Sequence, residues 1–271
     1  MKIIFTGDNH IYYHDQRKNV LDLMESICKE NPDVVCNVGD VGEVLMHEDT
    51  TLVQELFSAQ PTLFVAGNHD LYSQKHLNPI KAMEEWVKVM RWGTPLQTHW
   101  TDVKTVYEKD DCLFVGSILF PDFSHEKMIM PIKYYDLGCP TIDATYINLK
   151  GGFLQYTRPL LEAFEKKLQL INKSKCKNVI IISHYPCFIS QYKLNPTEDI
   201  SVYFYCHSAG LMIKKVAERN LEKNFYCISG HGHNFNIGQF IQETPNITTH
   251  GFVTDYDQQR YITLEFPSVR D

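Results

Sequence analysis

The sequence predicts an α/β fold built on parallel strands, and three observations carry that prediction. Short apolar, β-branched runs alternate with amphipathic helical stretches along most of the chain. Five of those runs stop at a cluster of aspartate, asparagine or histidine. The 271 residues are enough for one large α/β domain with a substantial core and short for two, so a single domain over 1–271 is expected.

Residues 2–6 read as a buried strand that ends at Gly7-Asp8-Asn9-His10. A polar loop with His14 and Asp15 follows, then a helix over 20–30 with Leu21, Met24, Ile27 and Cys28 at helical spacing. Asn31-Pro32-Asp33 breaks it. Residues 34–38 form a second strand, which ends at Gly39-Asp40. A helix is expected over 51–59, and a third strand over 62–66 ends at Gly67-Asn68-His69-Asp70. A further helix covers 80–91, with Trp86 and then Trp92 as packing residues. Strand–helix alternation of this kind implies a parallel sheet with right-handed crossovers.

The next stretch changes character. Residues 103–107 and 112–119 read as a hairpin around 108–111. The segment 120–156 is long, aromatic and irregular, and reads either as a lid or substrate wall or as a surface excursion. An amphipathic helix covers 160–171, and a pure β run over 178–182 ends at Ser183-His184. A second aromatic insertion spans 185–209, followed by a helix over 210–220. A strand over 225–229 ends at Gly230-His231-Gly232-His233, and 235–266 reads as an antiparallel finish.

Bulk composition excludes several classes. The chain is 44 % hydrophobic and 22 % charged, with a formal net charge of -7. That balance does not suggest a polyanion binder, which ordinarily carries a basic patch. Eight cysteines occur without a CxxC pair, so reduced thiols and a cytoplasmic location are expected. The N-terminus turns polar too early for a signal peptide, and no apolar run approaches the roughly 20 residues of a membrane span.

The strand ends carry the chemistry. The carboxyl ends of parallel strands are where α/β sheets place ligands. There the sequence gathers Asp8, His10, Asp40, Asn68, His69, His184, His231 and His233. Any one of them alone is ordinarily a turn, a cap or a satisfied polar residue. Eight metal- or proton-competent side chains after five apolar strands are not an accident of structure. Imidazole with carboxylate and amide oxygen, and no thiolate, suits Zn, Fe, Mn or Ni and not a closed structural zinc site. Such a set exceeds the need of one ion and suits two ions sharing a carboxylate, the usual clamp for displacement at phosphorus.

In their order these residues resemble the calcineurin-like metallophosphoesterase family: Asp8-Asn9-His10, Gly39-Asp40, Gly67-Asn68-His69-Asp70, His184 and Gly230-His231-Gly232-His233. The resemblance implies a four-layer αββα fold, a two-sheet β-sandwich flanked by helices. It implies that Asp8, His10 and His233 hold one divalent metal and Asn68, His184 and His231 a second, with Asp40 bridging. A metal-bound hydroxide would attack phosphorus. His69 would contact the phosphate or protonate the leaving oxygen, with Asp70 orienting it, and Asn68 would also lie against substrate.

Two departures narrow the branch. Protein Ser/Thr phosphatases continue the second motif with Asp-Arg-Gly and end the third in Glu; here the residues are Val41-Gly42 and Asp70. The sequence therefore looks more similar to the phosphodiesterase-like and small-molecule branches, with a small phosphate ester as partner. Asn9 either touches substrate or caps. His14, Tyr72, His99 and His207 are further pocket candidates. A nuclease of the same superfamily and a catalytically silent scaffold are the alternatives; the first needs a basic track and the second would have lost ligands.

Overall fold

The computed structural model describes residues 1–12, 16–46, 62–90, 94–95, 106–124, 146–148, 153–193, 205–233, 236–254 and 260–267. The helix expected over 51–59, His14, Asp15, Trp92, His99, most of the first aromatic insertion and residues 194–204 of the second lie outside the described residues.

The first sheet is built from β1 (Lys2–Thr6), β2 (Val34–Asn37), β3 (Thr62–Phe64), β4 (Thr94–Pro95) and β11 (Ile262–Glu265), in the order β11-β1-β2-β3-β4. The second is built from β5 (Val106–Lys109), β6 (Cys112–Ser117), β7 (Asn178–Ser183), β8 (Asn224–Ser229), β9 (Ile241–Thr244) and β10 (Ile247–Gly251), in the order β5-β6-β7-β8-β10-β9. The helices are α1 (Arg17–Lys29), α2 (Pro79–Val89), α3 (Phe153–Ile171) and α4 (His207–Ala217).

The parallel arrangement expected from the alternation is present. β1, β2, β3 and β4 run parallel, as do β6, β7, β8 and β10. The register aligns the ends of these strands. Thr6 pairs with Asn37, and Ser117, Ser183 and Ser229 lie level across three strands. The loops that leave these strands therefore start at one height.

Strands buried on both faces need apolar residues at every position, which explains the unbroken runs. Ile3, Phe5, Cys36 and Leu63 face Phe114, Ile180, Ile182 and Ile228 between the two sheets. Ile4, Val35 and Phe64 turn outward to Leu23, Met24 and Ile27 of α1 and to Met83 and Trp86 of α2. On the second sheet Val115, Val179 and Ile181 meet Phe164 and Leu168 of α3 and Ile213 of α4. Each such side chain contributes about 1.5–3 kcal/mol when fully buried. The layers run helices, sheet, sheet, helices, the αββα arrangement the resemblance implies.

Two expectations needed correction. The C-terminal region is not simply antiparallel: β9 and β11 are antiparallel edge strands, but β10 lies between β9 and β8 and runs parallel to β8. The β9–β10 hairpin enters the sheet from its outer edge, so its second strand returns parallel to β8. Helix α3 begins at Phe153 rather than 160 and contains Pro159. Proline there removes one hydrogen bond, to the Gln155 carbonyl, and the buried face of Tyr156, Leu160, Phe164 and Leu168 holds the helix regardless. Helix α2 starts at Pro79 with Asn78 accepting the Lys81 N–H at 3.0 Å, a capped start of the expected kind.

Candidate metal centre

Five loops leave the level strand ends and converge. The chain leaves β1 through Asp8 and His10, β2 through Asp40, β3 through Asn68 and His69, β7 through His184 and β8 through His231 and His233. Asp8, His10, Asp40, His231 and His233 all have positive φ, between 43° and 67°. Aspartate and histidine tolerate that region better than most residues, at a cost of about 1–2 kcal/mol each. Backbone bonds between the loops hold it: the Asp8 N–H donates to Gly39 O (2.8 Å) and the His10 N–H to Asp40 O (3.1 Å).

The two sheets are also tied to each other here. His184 Nδ1 lies 3.0 Å from Val38 O, and the His231 N–H donates to Asp8 Oδ1 at 3.0 Å. The first bond places the His184 proton on Nδ1 and leaves Nε2 as a donor atom for a ligand. Glycine precedes four of the clusters because the loops touch. At Gly67 a methyl group would overlap the Asp40 carboxylate. At Gly39, with φ of 102°, it would lie 2.6 Å from His184 Nδ1.

The donor atoms face one another. His10 Nε2 and His233 Nε2 are 3.3 Å apart. Asn68 Oδ1 lies 2.8 Å from His184 Nε2 and 3.1 Å from His231 Nδ1. Asp40 Oδ2 stands 3.3 Å from His184 Nε2 and 3.7 Å from His10 Nε2. Asp8, His10 and His233 offer ligand atoms within 4.8 Å of one another, as do Asp8, Asp40 and His184, and also His10, Asp40 and His69. Asp8 Oδ2 is buried and has no hydrogen-bond partner among the described residues. Lone pairs turned inward and an orphaned buried carboxylate oxygen fit divalent cations, and the N/O donor set fits Mn, Fe, Zn or Ni.

Electrostatics follow from the crowding. Burial alone would raise Asp40, but His184 and then His69 hold its carboxyl well below the usual range. Burial would lower His184, yet the Asp40 carboxylate outweighs it and raises the imidazole to about 9. Burial and then the His184 charge press His231 well below its ordinary value. A cation would replace the protons that the paired histidines otherwise take up.

The residue beside His69 is not the one expected. Asp70 gives its oxygens to backbone: it accepts the Gly67 N–H on Oδ2 (2.8 Å) and the Gly42 N–H on Oδ1 (3.3 Å). Burial, then the Asp40 charge, raise its carboxyl to about 7. In the partner's place stands Glu43, whose Oε1 is 2.7 Å from His69 Nδ1 and 3.7 Å from His10 Nδ1. Burial would raise Glu43, but His10 and His69 hold it down at about 2. Chain geometry explains the exchange. His69 and Asp70 both lie in a short 3-10 turn, His69–Leu71, where adjacent side chains diverge. Sequence reading passed over Glu43, whose signal was an acidic residue three positions after Asp40.

The remaining candidates divide. Asn9 neither caps a helix nor lies free for substrate: it is buried, donates to Thr6 Oγ1 (3.3 Å) and accepts from Asn37 Nδ2 (2.9 Å). Tyr72 is buried with its ring 4.4 Å from that of His69. His207 opens α4, and its N–H donates to Asp122 Oδ1 at 3.0 Å.

Residues 1–235, which include all of these loops, match the calcineurin-like phosphoesterase family. The chain belongs to that family. It is therefore a metallophosphoesterase, a hydrolase of phosphate esters. Solved structures are similar to it. GAP50, the anchor in the inner membrane complex of Plasmodium, is 11% identical with a TM-score of 0.51, over 93% of this chain and 71% of its own. A Staphylococcus aureus structure designated a 5'-nucleotidase is 11% identical with a TM-score of 0.50, over 93% of this chain and 48% of its own. The 5'-nucleotidase of Candida albicans is 12% identical with a TM-score of 0.46, over 96% of this chain and 47% of its own. The phosphoesterase thus spans about half the length of these two nucleotidase chains. No curated protein matches it. Since an anchor protein shares the fold, function rests on the residues of the site.

Proposed function

We propose that this phosphoesterase is a two-metal enzyme that hydrolyses a small phosphate ester, diester or monoester. The reading rests above all on Asp40, whose Oδ2 lies near both His184 Nε2 (3.3 Å) and His10 Nε2 (3.7 Å). Those imidazoles belong to the two groups of donors, so one carboxylate faces both. Asp8, His10 and His233 would hold one ion and Asn68, His184 and His231 the other, with the Asp40 carboxylate between the two groups. When bound, the ions supply Lewis-acid charge to the phosphoryl oxygens and make water acidic enough to attack at neutral pH.

The chain's own residues do the rest. Asn68 and His69 lie against the substrate phosphate. Glu43, ionised at about 2, accepts the Nδ1 proton of His69 and stabilises its imidazolium form. His69 then gives the proton on its other nitrogen to the leaving oxygen, a step of general acid catalysis that typically contributes 10²–10⁴-fold. Asp70 shapes the loop through its bonds to Gly67 and Gly42.

The net charge of -7 favours a small ester over a nucleic acid. Residues 1–271 are read as one domain, since β11 returns to pair with β1. We place the protein in the cytoplasm because its seven described cysteines are all free; no described helix is long and apolar enough to cross a membrane. The test is an activity panel with Mn, Zn, Fe and Ni, comparing bis-(p-nitrophenyl) phosphate with p-nitrophenyl phosphate, with Asp40→Asn alongside. Metal-dependent turnover lost in Asp40→Asn is the expected result. Turnover unaffected by chelation, or retained in Asp40→Asn, would refute the reading.

A further inference from the structure

Gln191 is buried, at 1% exposure, in the short turn Ile189–Gln191 that follows β7. Its amide is fully used. Oε1 accepts the N–H groups of Cys187 (3.1 Å) and Phe188 (3.0 Å), the segment just beyond His184. Nε2 donates to Ser229 Oγ (2.8 Å) and His250 O (3.1 Å), with Cys227 O at 3.4 Å. Ser229 is the last residue of β8, directly before Gly230-His231-Gly232-His233. One side chain therefore links the loop that carries His184 to the strand that carries His231 and His233.

Asn236 completes the linkage. It is fully buried, and its Nδ2 donates to Gly230 O (3.2 Å) and Phe252 O (2.7 Å). Its chain is joined to that of Gln191 by the Ile237 N–H to Gln191 O bond (2.9 Å) and by pairing with Tyr192. The first sheet has a counterpart: Asn37 donates to Asn9 and accepts the Gly39 N–H at 2.9 Å, beneath Asp8 and Asp40. Each sheet thus carries a buried amide under its donor loops. A buried amide is costly unless its polar atoms are paired, and those of Gln191 are. The Gly230 N–H to His184 O bond (3.1 Å) joins the two donor loops directly, and the Gln191 amide adds a second tie, from Cys187 and Phe188 to Ser229.

We propose that Gln191 is a positioning residue for the metal centre, setting the separation of His184 from His231 and thereby the affinity of the second ion. The inference rests on the two-metal reading. Residues that orient metal ligands typically change metal affinity by 10–100-fold when replaced.

The test is Mn2+ titration by calorimetry on chelator-stripped protein, with thermal melting of the stripped form. Gln191→Met keeps the shape and removes all five bonds. Ser229→Ala removes one and keeps the fold if Gln191→Met does not fold. Asn220→Ala is the control. Asn220 is similarly buried and bonded to Asn172 Oδ1 and Val216 O, both at 2.8 Å, but lies before β8, at the far end of that strand. The expected result is that wild type and Asn220→Ala bind two ions alike. Gln191→Met should bind the second at least tenfold more weakly, and Ser229→Ala should fall between. Wild-type affinity and stoichiometry in both Gln191→Met and Ser229→Ala, or in Ser229→Ala alone where the other does not fold, would overturn the positioning role while leaving the two-metal reading intact. Failure of the wild type to bind two ions would overturn both.

Discussion

Glu43 Oε1 lies 2.7 Å from His69 Nδ1, joining two loops that leave different strands. The carboxylate next to His69 in sequence, Asp70, is spent on backbone N–H groups. The pair with His69 is thus made across 26 positions of sequence, not within one motif.

This separates two substitutions that sequence alone would rank the other way. Glu43→Gln should lower kcat about 10–100-fold, part of the 10²–10⁴ ascribed to general acid catalysis, while metal content stays at the wild-type value. His69→Ala should cost the full range. Asp70→Asn should act through loop geometry and metal affinity, so its loss is recovered at high metal concentration. Steady-state kinetics at several metal concentrations, with metal analysis, distinguishes them; equal kcat for Glu43→Gln and wild type would remove Glu43 from the reaction.

Gly67→Ala introduces a methyl group into the space of the Asp40 carboxylate. Asp40 must then move, and metal affinity should fall about 10–100-fold. Metal analysis after gel filtration checks this, with near-ultraviolet circular dichroism to show that the fold persists.

His250 gives a pH dependence away from the metal centre. It is 3% exposed, and burial lowers its imidazole to about 4 against an ordinary 6.5. The unfolded chain therefore binds the proton first as pH falls. Stability is complete above about 6.5 and declines toward about 4, by roughly 3 kcal/mol for a shift of that size. His250→Phe should flatten this part of the profile. Urea unfolding of chelator-treated protein between pH 7.5 and 4.5 measures it.

Trp86→Ala tests the outer layer. Trp86 is fully buried and meets Phe64 edge to face at 5.1 Å. Its removal should cost about 3–5 kcal/mol of stability, read by urea unfolding, with activity per folded molecule unchanged because the ring lies between α2 and the sheet.

Much of the fold and the site was legible in the chain. The strands β1, β2, β3, β7 and β8 are uniform apolar runs, and burial on both faces makes such runs unmistakable. Their ends carry Asp8, His10, Asp40, Asn68, His184, His231 and His233, and a shared register brings those ends to one height. Partners across loops were less legible. Glu43 resembles any surface acid until the β2 and β3 loops are laid side by side. Gln191 and Asn236 resemble ordinary turn amides until their five and two side-chain bonds are seen.

By itself, the sequence determined an α/β chain of parallel strands, the strand ends and the chemical type of the donor set, because periodicity and ligand chemistry are local properties; the two-sheet αββα layering was implied by the family resemblance. Tertiary structure alone decided that Glu43 rather than Asp70 holds His69, that β10 runs parallel to β8, and that the buried Gln191 amide ties Cys187 and Phe188 to Ser229. Those depend on distances between segments remote in sequence. Such distances arise only when the two sheets pack and bring Val38 to His184 and Asp8 to His231.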